Sequence, residues 1–241
     1  MRYITGLGIL LTVLVGLSAP AGAQLIINPS SSCEYQGVEM SPALAYSKTS
    51  YESDSGDTVD IERILTGLYG AWGLNDWFDL YMSFGYIANA EPDPDEGEWD
   101  DHGDGFVIGA GIRGVNWEND YISVMSYAQI SYLSEDYGTT ASTDAEGEAT
   151  EVALGAMAKG YLADRFSVYG GVEFVPYTDG KFDTTFPDET GTRHKVSTDM
   201  ERENPVGIRL GANCELDKWW LRGELGVISE TSVLLGAGFM F

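Results

Sequence analysis

The chain closes with Ser232-Val233-Leu234-Leu235-Gly236-Ala237-Gly238-Phe239-Met240-Phe241. Every second residue of this segment is apolar, from Val233 to the terminal Phe241. A β-strand of about ten residues, tilted by roughly 45°, is long enough to cross the hydrocarbon layer of a membrane. Its lipid-facing row must be apolar, whereas its inward row can hold small or polar residues. The segment therefore predicts a β-strand that crosses a membrane.

The start of the chain predicts export. Arg2 is followed by an apolar run over 9–17 and then by Ala21-Gly22-Ala23, the small-residue pattern at which a signal peptidase cuts. The run is too short for a lasting membrane helix. We therefore expect a signal peptide at 1–23, a periplasmic segment at 24–36 and a membrane domain at 37–241.

Alternation of apolar residues recurs along the membrane domain. It predicts strands at 38–50, 58–73, 78–90, 105–115, 121–133, 149–162, 166–177, 203–216, 219–227 and 232–241. Very short links alternate with the long acidic loops 51–57, 91–104, 134–148 and 178–202, which is typical of bacterial barrels with short periplasmic turns. A soluble β-sandwich has no reason to keep its long loops at one end. The predicted fold is all-β, a transmembrane antiparallel up-and-down β-barrel of ten strands, with eight or twelve as open alternatives.

The alternation also assigns two faces to each strand. The outward rows, such as Phe78, Leu80, Met82, Phe84 and Tyr86, carry almost no charge. The opposite rows carry five cations and five anions among many glycines: Arg63, Asp79, Arg113, Glu151, Lys159, Glu173, Arg209, Glu215, Arg222 and Glu224. A buried charge must be paired to be tolerated, and a small barrel leaves little space inside. We expect a lumen closed by paired charges, unless the strands are mis-phased and the balance is accidental.

The formal net charge of −25 must then lie mostly in the loops, and 91–104 alone holds eight carboxylates. Such a charge excludes nucleic acid as a natural partner. Divalent cations would be needed for these loops to lie beside lipopolysaccharide. Asp93, Asp95 and Asp101 offer the oxygen ligands that calcium prefers, although the calcium-loop spacing is absent and a solvated acidic loop is the favoured interpretation.

Evidence for catalysis is sparse. His102 beside Asp101, and His194 with Asp188 and Asp199, are the only histidine–carboxylate groupings in the sequence. Gly109 to Gly114 match the dinucleotide fingerprint, but the turn and strand that follow leave no helix for a pyrophosphate. Other hydrolase motifs are absent from the sequence. We therefore predict no enzyme activity and no cofactor, with a surface hydrolase of omptin type kept as the second alternative.

Two further residue types suggest where segments lie. Cys33 and Cys214 are the only cysteines, and an exported chain could keep a disulfide between them across or under the periplasmic mouth; two unrelated small residues are the other interpretation. Aromatic rings favour the membrane–water interface. We therefore predict a periplasmic girdle from the tryptophans near the short links: Trp72, Trp77, Trp117, Trp219 and Trp220.

The segments Gly73-Leu74-Asn75-Asp76-Trp77-Phe78-Asp79-Leu80-Tyr81-Met82-Ser83-Phe84-Gly85-Tyr86 and 160–171, together with the end at Phe241, resemble the small outer-membrane β-barrel proteins of the OmpA/OmpX/OmpW-like kind. The resemblance implies a Gram-negative outer membrane with its lipid and lipopolysaccharide. It also implies insertion by the barrel-assembly machinery, which reads the last strand.

Those proteins range from tethering and adhesion to narrow transport, and a fold does not choose among functions. The leading interpretation is a structural, surface-interaction or envelope-integrity role. A narrow channel for small solutes is the first alternative.

Overall fold

The computed structural model describes residues 37–93, 103–137, 144–188, 190–228 and 230–241. These residues form eleven β-strands, each antiparallel to its neighbours. The strands are β1 (Val38–Ser53), β2 (Thr58–Asn75), β3 (Phe78–Asp93), β4 (Gly103–Glu118), β5 (Ile122–Tyr137), β6 (Asp144–Ala163), β7 (Phe166–Pro187), β8 (Arg193–Arg202), β9 (Val206–Leu216), β10 (Trp219–Val227) and β11 (Thr231–Met240). In these parts of the chain no helix is long and apolar enough to cross a membrane.

The sheet closes on itself. β1 pairs with β2 along one edge and with β11 along the other, where Leu44 lies opposite Leu235. The ring therefore contains β1 to β7 and β9 to β11, and the predicted ten-strand barrel is confirmed as its wall. Residues 37 and 241 lie at the end with the short turns, called the periplasmic end here; the opposite end is the extracellular end.

The additional strand, β8, corrects one prediction, because 178–202 is a strand hairpin and not an acidic loop. β7 continues to Pro187 and β8 returns beside it, with Phe186 opposite His194 and Gly180 opposite Met200. Both faces of this hairpin carry many polar residues, since it stands beyond the apolar band. The alternation that marks a membrane strand is therefore weak here.

The wall changes its strand number along the barrel axis. β9, β10 and β11 have 11, 9 and 10 residues, whereas β1 to β7 have 16 to 22. Above the short strands, β8 pairs with β7 on one side and with Tyr51–Ser53 of β1 on the other. The barrel is therefore a ring of ten strands up to the level of Lys48 in β1 and a ring of eight, β1 to β8, around Tyr51–Ser53. These two parts are called the periplasmic half and the extracellular half.

The two faces of the wall follow the predicted alternation. Outward side chains such as Met82, Phe84 and Leu221 are more than half exposed. The inward rows are buried, and in the periplasmic half aromatic rings lie over glycines on the neighbouring strand. Tyr81 lies opposite Gly111, where a Cβ atom would overlap the phenol ring. Equivalent overlaps would occur at the pairs Tyr127–Gly155, Tyr169–Gly211 and Trp220–Gly238.

Candidate functional site

The lumen holds its charged groups at three levels. The first, the periplasmic cluster, consists of Glu39, Asp79 and Arg113 at the lower ends of β1, β3 and β4. The Arg113 guanidinium donates to Asp79 Oδ2 at 2.6 Å and to Glu39 Oε2 at 3.0 Å. All three side chains are buried. The arginine therefore ties three strands together across the inside of the ring.

The junction cluster lies where the wall changes from ten strands to eight. Arg202 Nε donates to Glu151 Oε1 at 2.7 Å, and its Nη2 donates to Glu230 Oε2 at 3.2 Å. Arg209 Nη2 lies 2.8 Å from Glu173 Oε1 and 2.6 Å from Glu230 Oε1. Glu230 stands in the link between β10 and β11, so its carboxylate joins the last strand of the eight-strand ring to the short strands below.

Two tyrosines complete the junction cluster. Tyr127 donates its hydroxyl to Glu173 Oε2 at 2.5 Å, and Tyr169 donates to Glu224 Oε2 at 2.7 Å. Glu224 also lies 3.8 Å from Arg209. Four carboxylates therefore share two guanidinium groups and two phenol hydroxyls, which is the satisfaction that buried carboxylates require.

The extracellular pair is Arg63 and Glu135. Two parallel hydrogen bonds join them, from Nε to Oε1 at 2.5 Å and from Nη2 to Oε2 at 2.7 Å. Thr49 accepts a third bond from Arg63, and the Tyr137 hydroxyl donates to Glu135. Such bidentate geometry fixes both side chains in place.

An apolar cluster surrounds the extracellular pair, from the level of Leu234 in the ten-strand ring up to Tyr51 and Met200 in the eight-strand ring. Its members are Ala45, Tyr51, Ile61, Leu65, Ile87, Ala90, Val107, Tyr137, Ala145, Met200 and Leu234, all buried. Phe182 packs against the cluster, with its ring centroid 5.4 Å from that of Tyr137. Two cavities among these residues have volumes of about 20 and 10 Å³. Each is about the size of one water molecule.

The inward charges form a larger set than predicted. Nine of the ten predicted residues are buried, and Glu215 is half-buried beside Lys159, 3.2 Å away. Arg222 lies over the Trp220 ring at 5.7 Å. Sequence reasoning missed four members: Glu39, Glu135, Arg202 and Glu230.

Adding the missed members gives six cations and eight anions, so the predicted balance of five and five is wrong. Glu39 and Glu135 share the inward parity of their strands, which is the signal that could have revealed them. Arg202 and Glu230 stood in predicted loops or links.

Trp220 corrects the predicted girdle. Trp72, Trp77, Trp117 and Trp219 are exposed on the outer face, but Trp220 is completely buried and faces the lumen. Adjacent residues of a strand point to opposite faces, so Trp219 and Trp220 cannot both face lipid.

Cys214 lies on the outward row of β9, between Ala212 and Leu216, and it forms no disulfide with any described residue. Cys33 lies outside the described residues, so their pairing stays a prediction. A bridge from Cys214 would run along the outside of the barrel rather than under its mouth.

The proposed acidic metal site falls mostly outside the described residues. Asp93 ends β3, while Asp95, Asp101 and His102 belong to the part of the chain that the structure does not describe. No group of three or more His, Cys, Asp or Glu side chains in the described ranges is arranged to hold a metal ion. Calcium binding by this loop stays a prediction.

His194 and Asp188 do meet, at the tip of the β7–β8 hairpin. His194 Nε2 lies 2.9 Å from Asp188 Oδ2, and both side chains are exposed. Asp188 Oδ1 accepts from the Thr190 hydroxyl at 2.6 Å and from the Thr192 amide at 3.0 Å. These bonds, with that from His194, hold the pKa of Asp188 well below its usual range. The carboxylate therefore closes the hairpin turn with both oxygens engaged.

Comparison with known proteins gives structural matches only. No protein-family model matches the sequence, and neither does any curated protein. The outer-membrane protease OmpT from Escherichia coli is similar in fold, with a TM-score of 0.55 and 9% identity over 89% of this chain and 100% of that one. The outer-membrane protein OprG from Pseudomonas aeruginosa gives a TM-score of 0.50 and 9% identity over 87% of this chain and 98% of that one.

At such identities the likeness establishes the fold and not the activity. The closed antiparallel ring, the apolar outer face and the buried paired charges agree with it. The chain therefore has the fold of the small outer-membrane β-barrel proteins, and this fold indicates the Gram-negative outer membrane.

Proposed function

We propose that the protein is a non-conducting outer-membrane barrel with a structural, surface-interaction or envelope-integrity role exerted at its extracellular end. The observation that carries the proposal is the filled lumen. The three charged levels and the apolar cluster occupy the interior in succession, from Arg113 near the periplasmic end to Tyr137 near the extracellular end. An ion crossing the barrel would have to displace each of them.

The energetic cost of such a displacement supports a closed state. Removing one partner of a buried ion pair costs about 3–5 kcal/mol, because a charge is left without compensation. Arg113, Arg202 and Arg209 each contact at least two carboxylates. Opening a path would require several of these contacts to break together.

The extracellular end supports a surface role. β6, β7 and β8 stand beyond the apolar band as a small sheet whose outer face carries Lys181, Asp183 and Lys195. Lys195 Nζ lies 2.7 Å from Asp183 Oδ2, and Arg193 pairs with Asp144. A charged sheet above the membrane suits contact with hydrated partners. Lipid and lipopolysaccharide around the barrel, with divalent cations near the acidic loops, and the barrel-assembly machinery acting through Phe241 complete the proposed partners.

The Asp188–His194 contact does not favour a hydrolase, because both oxygens of the carboxylate already brace a turn. We therefore propose no enzymatic activity. The narrow channel is the alternative that an experiment must separate from the leading proposal.

Single-barrel recordings in planar bilayers test the proposal. The intact protein should give no steady conductance, whereas Arg209→Ala should give intermittent openings if it folds. A matched control is Arg165→Ala, which removes an exposed pair with Asp217 outside the lumen. Stable open steps from the intact protein would favour the channel.

A further inference from the structure

The change from ten strands to eight leaves a cleft in the wall between β7, the end of β8 and the start of β9. Its volume is about 330 Å³, at the lower end of the range for ligand pockets. Phe174, Val175, Pro176 and Tyr177 form one side of the cleft and Pro205 lies on the other. The Val175 amide donates to the Pro205 carbonyl oxygen at 2.7 Å and closes the lower edge of the cleft. Pro176 and Pro205 have no N–H group and cannot donate further ladder bonds.

The cleft opens to the outer surface at the upper boundary of the apolar band. Phe174 continues the lipid-facing row of β7, and Phe174, Pro176, Tyr177 and Pro205 are all exposed. Just above Tyr177 the outer face becomes charged, beginning with Asp179. A molecule in the cleft would therefore have its apolar part beside lipid and its polar part at the membrane surface.

The rim of the cleft is acidic. Glu201 lines it, and Glu52 lies directly opposite Glu201 in the β1–β8 pairing, with both side chains exposed. Like charges that face each other across two strands are destabilising. Asp179 is nearby, and its carboxylate accepts from the Tyr177 hydroxyl at 3.4 Å. A cation at this rim would relieve the repulsion, and the Tyr177 ring adds a face that attracts cations.

One buried polar atom also lacks a protein partner in the cleft. The Thr178 hydroxyl oxygen is buried in the lining and has no hydrogen-bond partner among the described residues. A buried hydroxyl is normally satisfied, so this atom points to a missing hydrogen-bonding group. Arg202 forms part of the inner lining, and its guanidinium is paired with Glu151 and Glu230.

We propose that this wall cleft binds a single-chain amphiphile with a cationic head group. The apolar chain packs against Phe174, Pro176 and Pro205, and the head lies between Glu52 and Glu201. The proposal does not depend on whether the lumen conducts, because the cleft lies on the outer surface.

Photo-crosslinking tests this site in lipid nanodiscs made of phosphatidylcholine. The probe is dodecyltrimethylammonium with a diazirine in its chain, and labelled peptides are mapped by mass spectrometry. Label should concentrate in 174–178 and 201–205, and unlabelled dodecyltrimethylammonium should compete while dodecyl sulfate should not. Uniform labelling around the barrel, or equal competition by dodecyl sulfate, would overturn the proposal.

Two sets of variants test separately what the apolar cleft and its acidic rim contribute to binding. Pro205→Trp fills the cleft from its exposed side and should lower labelling by roughly tenfold, whereas Val172→Trp on the lipid-facing row of β7 should not. The double change Glu52→Gln and Glu201→Gln should lower labelling by roughly two- to five-fold. Its control is Asp104→Asn with Asp136→Asn, another exposed acidic pair opposite each other in register but without a cleft.

The rim variants alter only exposed side chains, so they decide the question if the tryptophan variant does not fold. Unchanged labelling of the rim double variant would show that the acidic rim does not recognise the head group.

Discussion

Near the periplasmic end of the barrel ten strands enclose aromatic rings and charged side chains. Toward the extracellular end an apolar cluster surrounds one ion pair, and it spans the level where the ring narrows from ten strands to eight. The interior of a barrel widens with strand number, and eight strands leave a space that side chains just fill. Ten strands leave more room, which Tyr81, Tyr127 and Tyr169 occupy by lying over glycines. The comparison shows that rings over glycines fill the ring of ten strands near the periplasmic end, whereas an apolar cluster fills the interior around the level where the ring narrows.

The densest charges lie where the two halves meet. Arg202 comes from the eight-strand ring and Arg209 from a short strand below, and Glu230 contacts both. In a wall of constant strand number, backbone pairing alone holds each strand to its neighbours. Here β9, β10 and β11 end below β8, and the side chains of the junction cluster connect β8 to these short strands. We infer that the junction cluster joins the two halves mechanically.

The largest expected effect is at the junction. Arg209→Ala should lower the free energy of unfolding by roughly 3–5 kcal/mol, because Glu173 and Glu230 stay buried and lose the guanidinium they share, keeping only the Tyr127 hydroxyl and Arg202. Urea unfolding in lipid vesicles, followed by tryptophan fluorescence, measures it. Arg165→Ala, an exposed pair, should cost at most about 1 kcal/mol. Equal effects for the two variants would remove the distinction between junction and surface.

A second test concerns the apolar cluster around the extracellular pair. Leu65 is completely buried, so Leu65→Ala should cost about 2–5 kcal/mol through lost contacts and a cavity. Leu68→Ala, three residues away and facing lipid, should cost clearly less, since no cavity forms. Thermal unfolding on gels, read from the band shift between folded and unfolded barrel, compares them. A larger loss for Leu68→Ala would contradict the assignment of faces.

A third test concerns the ring-over-glycine contacts of the periplasmic half. Gly111→Ala places a Cβ against the Tyr81 ring and should cost about 1–3 kcal/mol. In Gly223→Ala the nearest described atom to the new Cβ is Leu235 Cδ2 at 3.8 Å, so little change is expected there. The midpoints of urea unfolding of the two variants measure the difference between these losses of stability. A loss confined to Gly223→Ala would refute the packing described here.

The smallest expected effect is local and depends on pH. Because the folded-state pKa of Asp188 is lowered, chiefly by the Thr190 hydroxyl and then by His194, its contribution is complete above the ordinary aspartate pKa of about 3.9 and is lost as the pH falls below it. The protection factor of the Thr192 amide, which corrects its exchange rate for the intrinsic pH dependence, should therefore fall at acidic pH, and Asp188→Asn should remove this change. An unchanged protection factor of the Thr192 amide below that pKa would show that the Asp188 carboxylate does not hold the turn.

The strands of the ten-strand half were predicted well from the sequence. Lipid on the outer side of the wall requires an apolar residue at every second position, and this alternation is visible in one sequence. The extracellular half was less predictable, since strands that leave the lipid carry polar residues on both faces. Glu135 lies beyond residue 133, where the predicted strand ends, and β8 lies within the predicted loop 178–202. Arg202 and Glu230 meet only through distant pairing, which no local pattern shows. Trp220 could have been placed from its parity with Trp219.

Cross-strand nuclear Overhauser effects in micelles test the change from ten strands to eight most directly. The structure places Tyr51–Ser53 beside Met200–Arg202, and Glu39–Lys48 beside Thr231–Met240. We predict amide contacts for both sets in the same sample. Contacts between Tyr51–Ser53 and the residues just before Thr231, with none to Met200–Arg202, would mean that ten strands continue to the extracellular end, and would contradict this account.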